Sequence, residues 1–109
     1  MTDHQFAFAW GEALACSDRD EFVSEITLSS IWEDAPDAEI PADRVDQLGR
    51  IWDVAHCAAK DLVASTGLSQ ARFAERYCMP RRTVEDWCRG LRNPPDYVRL
   101  LLAKDMGLL

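Results

Sequence analysis

Arg81 and Arg82 stand side by side where a helical pattern begins. A guanidinium carries five N–H donors in a rigid fork, and it can donate two parallel hydrogen bonds to guanine O6 and N7. That is the commonest specific contact in a DNA major groove, worth about 1–3 kcal/mol of discrimination per pair. Val84 and Trp87 follow three residues apart and give the same stretch an apolar face directed the other way. Upstream, Ser69 is a good N-cap residue, and Phe73, Ala74 and Tyr77 share one face of the helix it would open. The pattern breaks at Cys78-Met79-Pro80. A helix, a three-to-four-residue turn and a second helix with a basic first turn is the layout of a DNA-reading helix-turn-helix.

The run from Gly67 to Gly90 resembles the Xre/Cro-type repressor family. In that family a segment of the form GLSQ-x-x-FA-x-x-x-x-(I/M)-P-x-x-T-(V/L)-x-x-W-x-x-G builds helices two and three. The likeness continues through Gly90-Leu91-Arg92-Asn93-Pro94-Pro95 and covers roughly the second half of the chain. Each element alone is weak, whereas their joint spacing is hard to reach by accident.

The resemblance implies that the second helix lies in the major groove with Pro80, Arg81, Arg82 and Thr83 at its tip and Asp86 one turn on. Arg81, Arg82, Thr83 and Asp86 are thus the expected base readers. Gln70 falls where the family places a glutamine that bonds a phosphate and braces the reading helix, and amides at a helix start favour an anion. Arg72, Arg76, Arg89 and Arg92 are candidate phosphate contacts, which fix register without reading sequence. Each of these four reads equally well as a solvated arginine on an exposed face.

Three positions depart from the family pattern. Cys78 occupies the turn where glycine is frequent, and a non-glycine residue at positive φ is uncommon. Cys88 stands where glutamate is frequent. Asp86 replaces an amide or a base, and it could accept from a cytosine amino group, oppose a phosphate, or hold Arg82 by an ion pair.

Charge is divided along the chain. Residues 1–49 hold twelve acids and two bases, giving −10, and residues 50–109 hold seven acids and ten bases, giving +3; together they make the net −7. A net negative charge is the wrong sign for a generic nucleic-acid binder, but here it averages a basic reading head with an acidic front.

The front reads as helical. A first helix is expected over about 5–15, with Phe6, Trp10 and Leu14 along one stripe. Ser17 looks like the N-cap of a second, with Asp20 at the capping-box position and Phe22, Val23 and Ile26 on its apolar side. The acid-rich, two-proline stretch 33–41 reads as an exposed loop. Val45, Leu48, Trp52, Ala55, Ala59 and Leu62 then form a heptad-like seam on one long helix ending near Ser65, with Gly67 just past it. Ala55 to Leu62 reads as core; the part near Val45 to Trp52 reads either as core or as a dimer contact. Gly90 stops the reading helix, and Asn93-Pro94-Pro95 starts a last one with Tyr97, Leu100, Leu101 and Met106 as its apolar side.

The expected fold is therefore all-α, with about six helices: an acidic helical extension over 1–40 and a repressor-like helix-turn-helix module over 41–109. No catalytic constellation is present: His4 and His56 lie far apart, and there is no phosphate loop and no nucleophile elbow. Cys16, Cys57, Cys78 and Cys88 contain no Cys-x-x-Cys pair, so neither a zinc ribbon nor a redox motif is present, and they read as small buried or half-buried residues in a reducing compartment. Spacing disfavours a metal site that combines some of them with His4 or His56, and no metal or other cofactor is expected. No apolar run is long enough for a bilayer and no basic leader precedes an apolar stretch, which points to the cytoplasm. The leading expectation is a non-enzymatic transcriptional regulator binding double-stranded operator DNA as a homodimer. The alternative is an acidic interaction protein, an antitoxin or DNA mimic, whose residues 1–40 occupy a basic surface on a protein partner.

Overall fold

The computed structural model describes residues 1–32 and 42–109. The fold is all-α: the described residues form seven helices, with no strand among them. They are α1 (Asp3–Ala15), α2 (Arg19–Thr27), α3 (Ala42–His56), α4 (Ala59–Ser65), α5 (Gln70–Arg76), α6 (Arg81–Cys88) and α7 (Asp96–Asp105). They divide into two compact units, Met1–His56 with Leu108–Leu109, and Cys57–Gly107. The boundary expected at 40/41 thus moves to 56/57, because α3 packs with α1 and α2. The charge split survives the move: residues 1–56 carry thirteen acids and three bases, and 57–107 carry six and nine.

In the first unit α1 begins two residues earlier than its apolar stripe suggests. Thr2 caps it, and a reciprocal capping box links Thr2 and Gln5, whose Nε2 also donates to the Ile31 carbonyl at 3.2 Å. Phe6 and Trp10 are buried as the spacing requires, and Ala9 and Ala13 close the rest of that face. Asp18, not Ser17, caps α2, its carboxylate accepting from the Glu21 amide at 2.9 Å. On α3 the buried line is Leu48, Ile51 and Val54, while Val45, Trp52 and Ala55 lie half-buried beside it.

Polar ties fix this unit's helix ends. Trp52 Nε1 donates to the Cys16 carbonyl at 2.9 Å, and the His56 ring stacks on Trp52 with its Nε2 2.6 Å from the Ala13 carbonyl. Trp32 is buried, donates to the Ile26 carbonyl, and lies under the Arg44 guanidinium at 4.2 Å. The loop expected over 33–41 lies outside the described residues.

The single helix expected to run to Ser65 is broken at Cys57-Ala58, although neither glycine nor proline stands there. In a continuous helix the Cys57 carbonyl would accept from the Asp61 amide. Instead that amide bonds the Ala58 carbonyl at 3.0 Å, and the Cys57 carbonyl takes Nη1 of buried Arg99 at 2.7 Å. A charge that leaves water needs such an acceptor, and no local pattern announces it.

In the second unit Phe73, Ala74, Val84, Trp87, Leu62, Val63, Leu102 and Ala103 form the core. The face of α7 differs from the expected one. Arg99, Leu102 and Ala103 are buried and Leu100 and Met106 half-buried, while Tyr97 and Leu101 remain 66% and 61% exposed.

Candidate nucleic-acid interface

Ser69 opens α5, its hydroxyl accepting from the Arg72 amide at 3.2 Å. Phe73 and Ala74 anchor the helix, and Tyr77 at its end stacks tilted against Phe73 with centroids 4.9 Å apart. The helix stops in a paired closure: Met79 N–H donates to the Ala74 carbonyl at 2.9 Å and Cys78 N–H to that of Glu75 at 3.2 Å. That arrangement needs a left-handed residue, and Cys78 supplies it at φ 53°. Gly90 performs the same function for α6 at φ 76°, with Leu91 N–H donating to the Asp86 carbonyl and Gly90 N–H to that of Trp87.

Pro80 precedes α6 and gives it no side-chain cap. Val84 is fully buried and Trp87 is 9% exposed, which fixes the rotation of the helix. With a 3.6-residue turn, Arg82 and Arg89 then fall at the centre of the outward face. Arg81 and Glu85 make one flank and Asp86 the other. Among the described residues neither Arg82 nor Arg89 makes an ion pair. Each flank has one: Arg81 Nε donates to Glu85 Oε1 at 3.0 Å, and Arg92 Nε lies 4.0 Å from Asp86 Oδ2. Asp86 therefore faces Arg92 and not Arg82, with its side chain only 16% exposed; Thr83 is half-buried.

The other expected contacts divide. Gln70, Arg72 and Arg89 are exposed. Arg76 is committed within the unit: its Nη2 reaches Asp105 Oδ2 at 3.3 Å, and the Tyr77 hydroxyl donates to the same oxygen at 2.7 Å. The Tyr77 hydroxyl, and then Arg76, hold the Asp105 carboxyl below the usual carboxylate range.

First turns carry the clearest electrostatic contrast. α1, α2, α3, α4 and α7 each have an acid there, as the helix dipole favours. α5 and α6 have none, and place Arg72, and Arg81 with Arg82, in those turns. Each such cation opposes the dipole by about 0.3–1 kcal/mol when exposed.

Three contributors were missed in the sequence: Glu85, Asp105 and Arg99. Glu85 had a signal, a carboxylate four residues after Arg81. Asp105 and Arg99 had none, since their partners lie 28 and 42 residues away. Cys16, Cys57 and Cys88 are half-buried, but Cys78 is exposed, unlike the expectation for it; burial pushes the Cys57 and Cys88 thiols up. Among the described residues no group of three or more His, Cys, Asp or Glu could hold a metal ion, and no helix is long and apolar enough to cross a membrane. Comparison with protein-family models, curated proteins and solved structures gives no match to this chain.

Proposed function

We propose that the chain is a sequence-specific DNA-binding transcriptional regulator of the cytoplasm, a repressor-like homodimer on a two-fold site, with α6 in the major groove. One observation carries the reading: the first turns of α5 and α6 hold arginine and no acid, so they are net positive against their own dipoles, where the first turn of every other described helix holds an acid. That placement costs stability in the free protein, and a polyanion on the outer face of α6 offsets it. The net +3 of residues 57–107 agrees in sign. The likeness of residues 67–95 to Xre/Cro-type repressors supports the same reading. Arg81 and Arg82 are the proposed base readers, with Thr83 and Asp86 in supporting places; Gln70, Arg72, Arg89 and Arg92 are the proposed phosphate contacts. Arg76, already held by Asp105, is the weakest of that set.

Titration of a random-sequence duplex across a salt series tests it. Affinity should fall steeply with salt, with a slope near −0.9 per phosphate neutralised, and Arg72→Ala should flatten the slope by about one such unit. Absence of binding at low salt would overturn the reading. A second reading rests on the first unit, which has its own core and thirteen acids to three bases. It would occupy a basic surface of a protein partner, as an antitoxin or a DNA mimic does, and it is compatible with the first.

A further inference from the structure

We propose that Glu85 is the positioning residue for Arg81 and makes that arginine a guanine reader, leaving its Nη1–Nη2 edge to meet the groove. The inference rests on the DNA-binding reading above and deepens it. Arg81 Nε donates to Glu85 Oε1 at 3.0 Å along one helix turn. An arginine can approach a base edge with either of two forks, Nε with Nη2 or Nη1 with Nη2. The carboxylate engages the Nε–H, so the second fork remains for guanine O6 and N7.

Stability does not account for the pair. The side chains are 69% and 33% exposed, and arginine ahead of glutamate is the poorer order for an i,i+4 pair that is weak even in the better order. Ordering is the larger effect, because a long arginine side chain loses many rotamers on binding and fixing it beforehand reduces that cost. Arg82, at the centre of the same face, has no ion pair among the described residues, and Asp86 stays 4.0 Å from Arg92 Nε, beyond hydrogen-bond reach. Among the described residues Arg81 alone of these arginines donates a hydrogen bond to a carboxylate of its own helix.

A carboxylate on this face also repels phosphates, so its charge and its acceptor atom act in opposite senses and are separable. Glu85→Gln keeps an oxygen for the Nε–H and removes the charge; Glu85→Ala removes both. The probe is the site that the full-length chain selects from a random pool, with each guanine replaced in turn by 7-deazaguanine, which lacks the N7 acceptor. At one guanine the wild type should lose about five- to tenfold in affinity, a single hydrogen bond of a bidentate pair. Arg81→Ala should show no loss there, and Glu85→Ala less than about twofold. Glu85→Gln should recover most of the wild-type sensitivity, while both variants bind random DNA more tightly than the wild type. Full sensitivity in Glu85→Ala, or glutamine behaving as alanine, would overturn the positioning role and leave the DNA-binding reading standing. If the full-length chain selects no site, both fall together.

Discussion

Asp105 collects two donors from α5, the Tyr77 hydroxyl and Arg76, and its titration should be felt by the whole second unit. A carboxyl held below its ordinary range contributes stability above the unfolded range and loses it as pH falls through the folded value. The Tyr77 hydroxyl is pushed up, by burial first and by Asp105 second, so its own contribution holds below the phenol range and is lost only in strong alkali. Tyr77→Phe should therefore lower the melting temperature at about pH 7, and the difference from the wild type should narrow as pH falls through the acid range in which Asp105 protonates. A difference that stays the same across that range would contradict the charged hydrogen bond. Cys78 offers a second residue-scale test. It is exposed and sits at φ 53°, where a side chain costs about 1–2 kcal/mol, against about 0.4–1 kcal/mol that glycine adds through the unfolded chain. Cys78→Gly should raise stability by up to about 1 kcal/mol in a denaturant melt, and Gly90→Ala should lower it. The departure of Cys78 from the glycine expected in the turn was legible in the sequence, whereas the Asp105 network, built across distant residues, was not.

Helices with a strong local signal were readable, and those shaped by distant groups were not. Ser69, Phe73, Val84, Trp87 and Gly90 gave α5 and α6 nearly to the residue, because cap, apolar face and left-handed stop agree there. The break at Cys57-Ala58 depends on Arg99, and the rotation of α7 depends on the same buried guanidinium, so periodicity alone misread both. Trp87 fixes the rotation of α6, and Trp87→Ala should cost about 3–5 kcal/mol, enough to unfold or nearly unfold so small a unit. Loss of quencher-accessible fluorescence on Trp87→Phe, read against the wild type because Trp52 is itself half-buried, would contradict that rotation. In the first unit Gly49 lets the Arg19 side chain cross α3 to Asp53, and a Cβ there would collide with the guanidinium. The ion pair is half exposed and worth about 0–1 kcal/mol, while alanine gains about 0.8–1 kcal/mol in helix propensity. Gly49→Ala should thus leave stability within about 1 kcal/mol of the wild type while making Asp53→Ala nearly silent in the double mutant.

For the molecule as a whole, the sequence showed a charge division but put the structural boundary too early. Cutting after residue 40 would strip α3 of its partners and expose Leu48, Ile51 and Val54, whereas a cut after His56 follows the packing. The removed segment carries −10 and the remainder +3. Removing residues 1–56 should therefore raise DNA affinity at low salt, with the gain shrinking once the Debye length falls toward about 10 Å near 0.1 M. An affinity unchanged at every salt concentration would show that the acids of the first unit do not act on DNA. The base preference of α6 is the central claim, and selection of bound sequences from a random DNA pool by the full-length chain measures it most directly. Enrichment of one palindromic site containing guanine is expected, with that preference relaxed by Arg81→Ala while binding to random DNA persists. Retention of no DNA at low salt, or a recovered pool indistinguishable from the input, would contradict it.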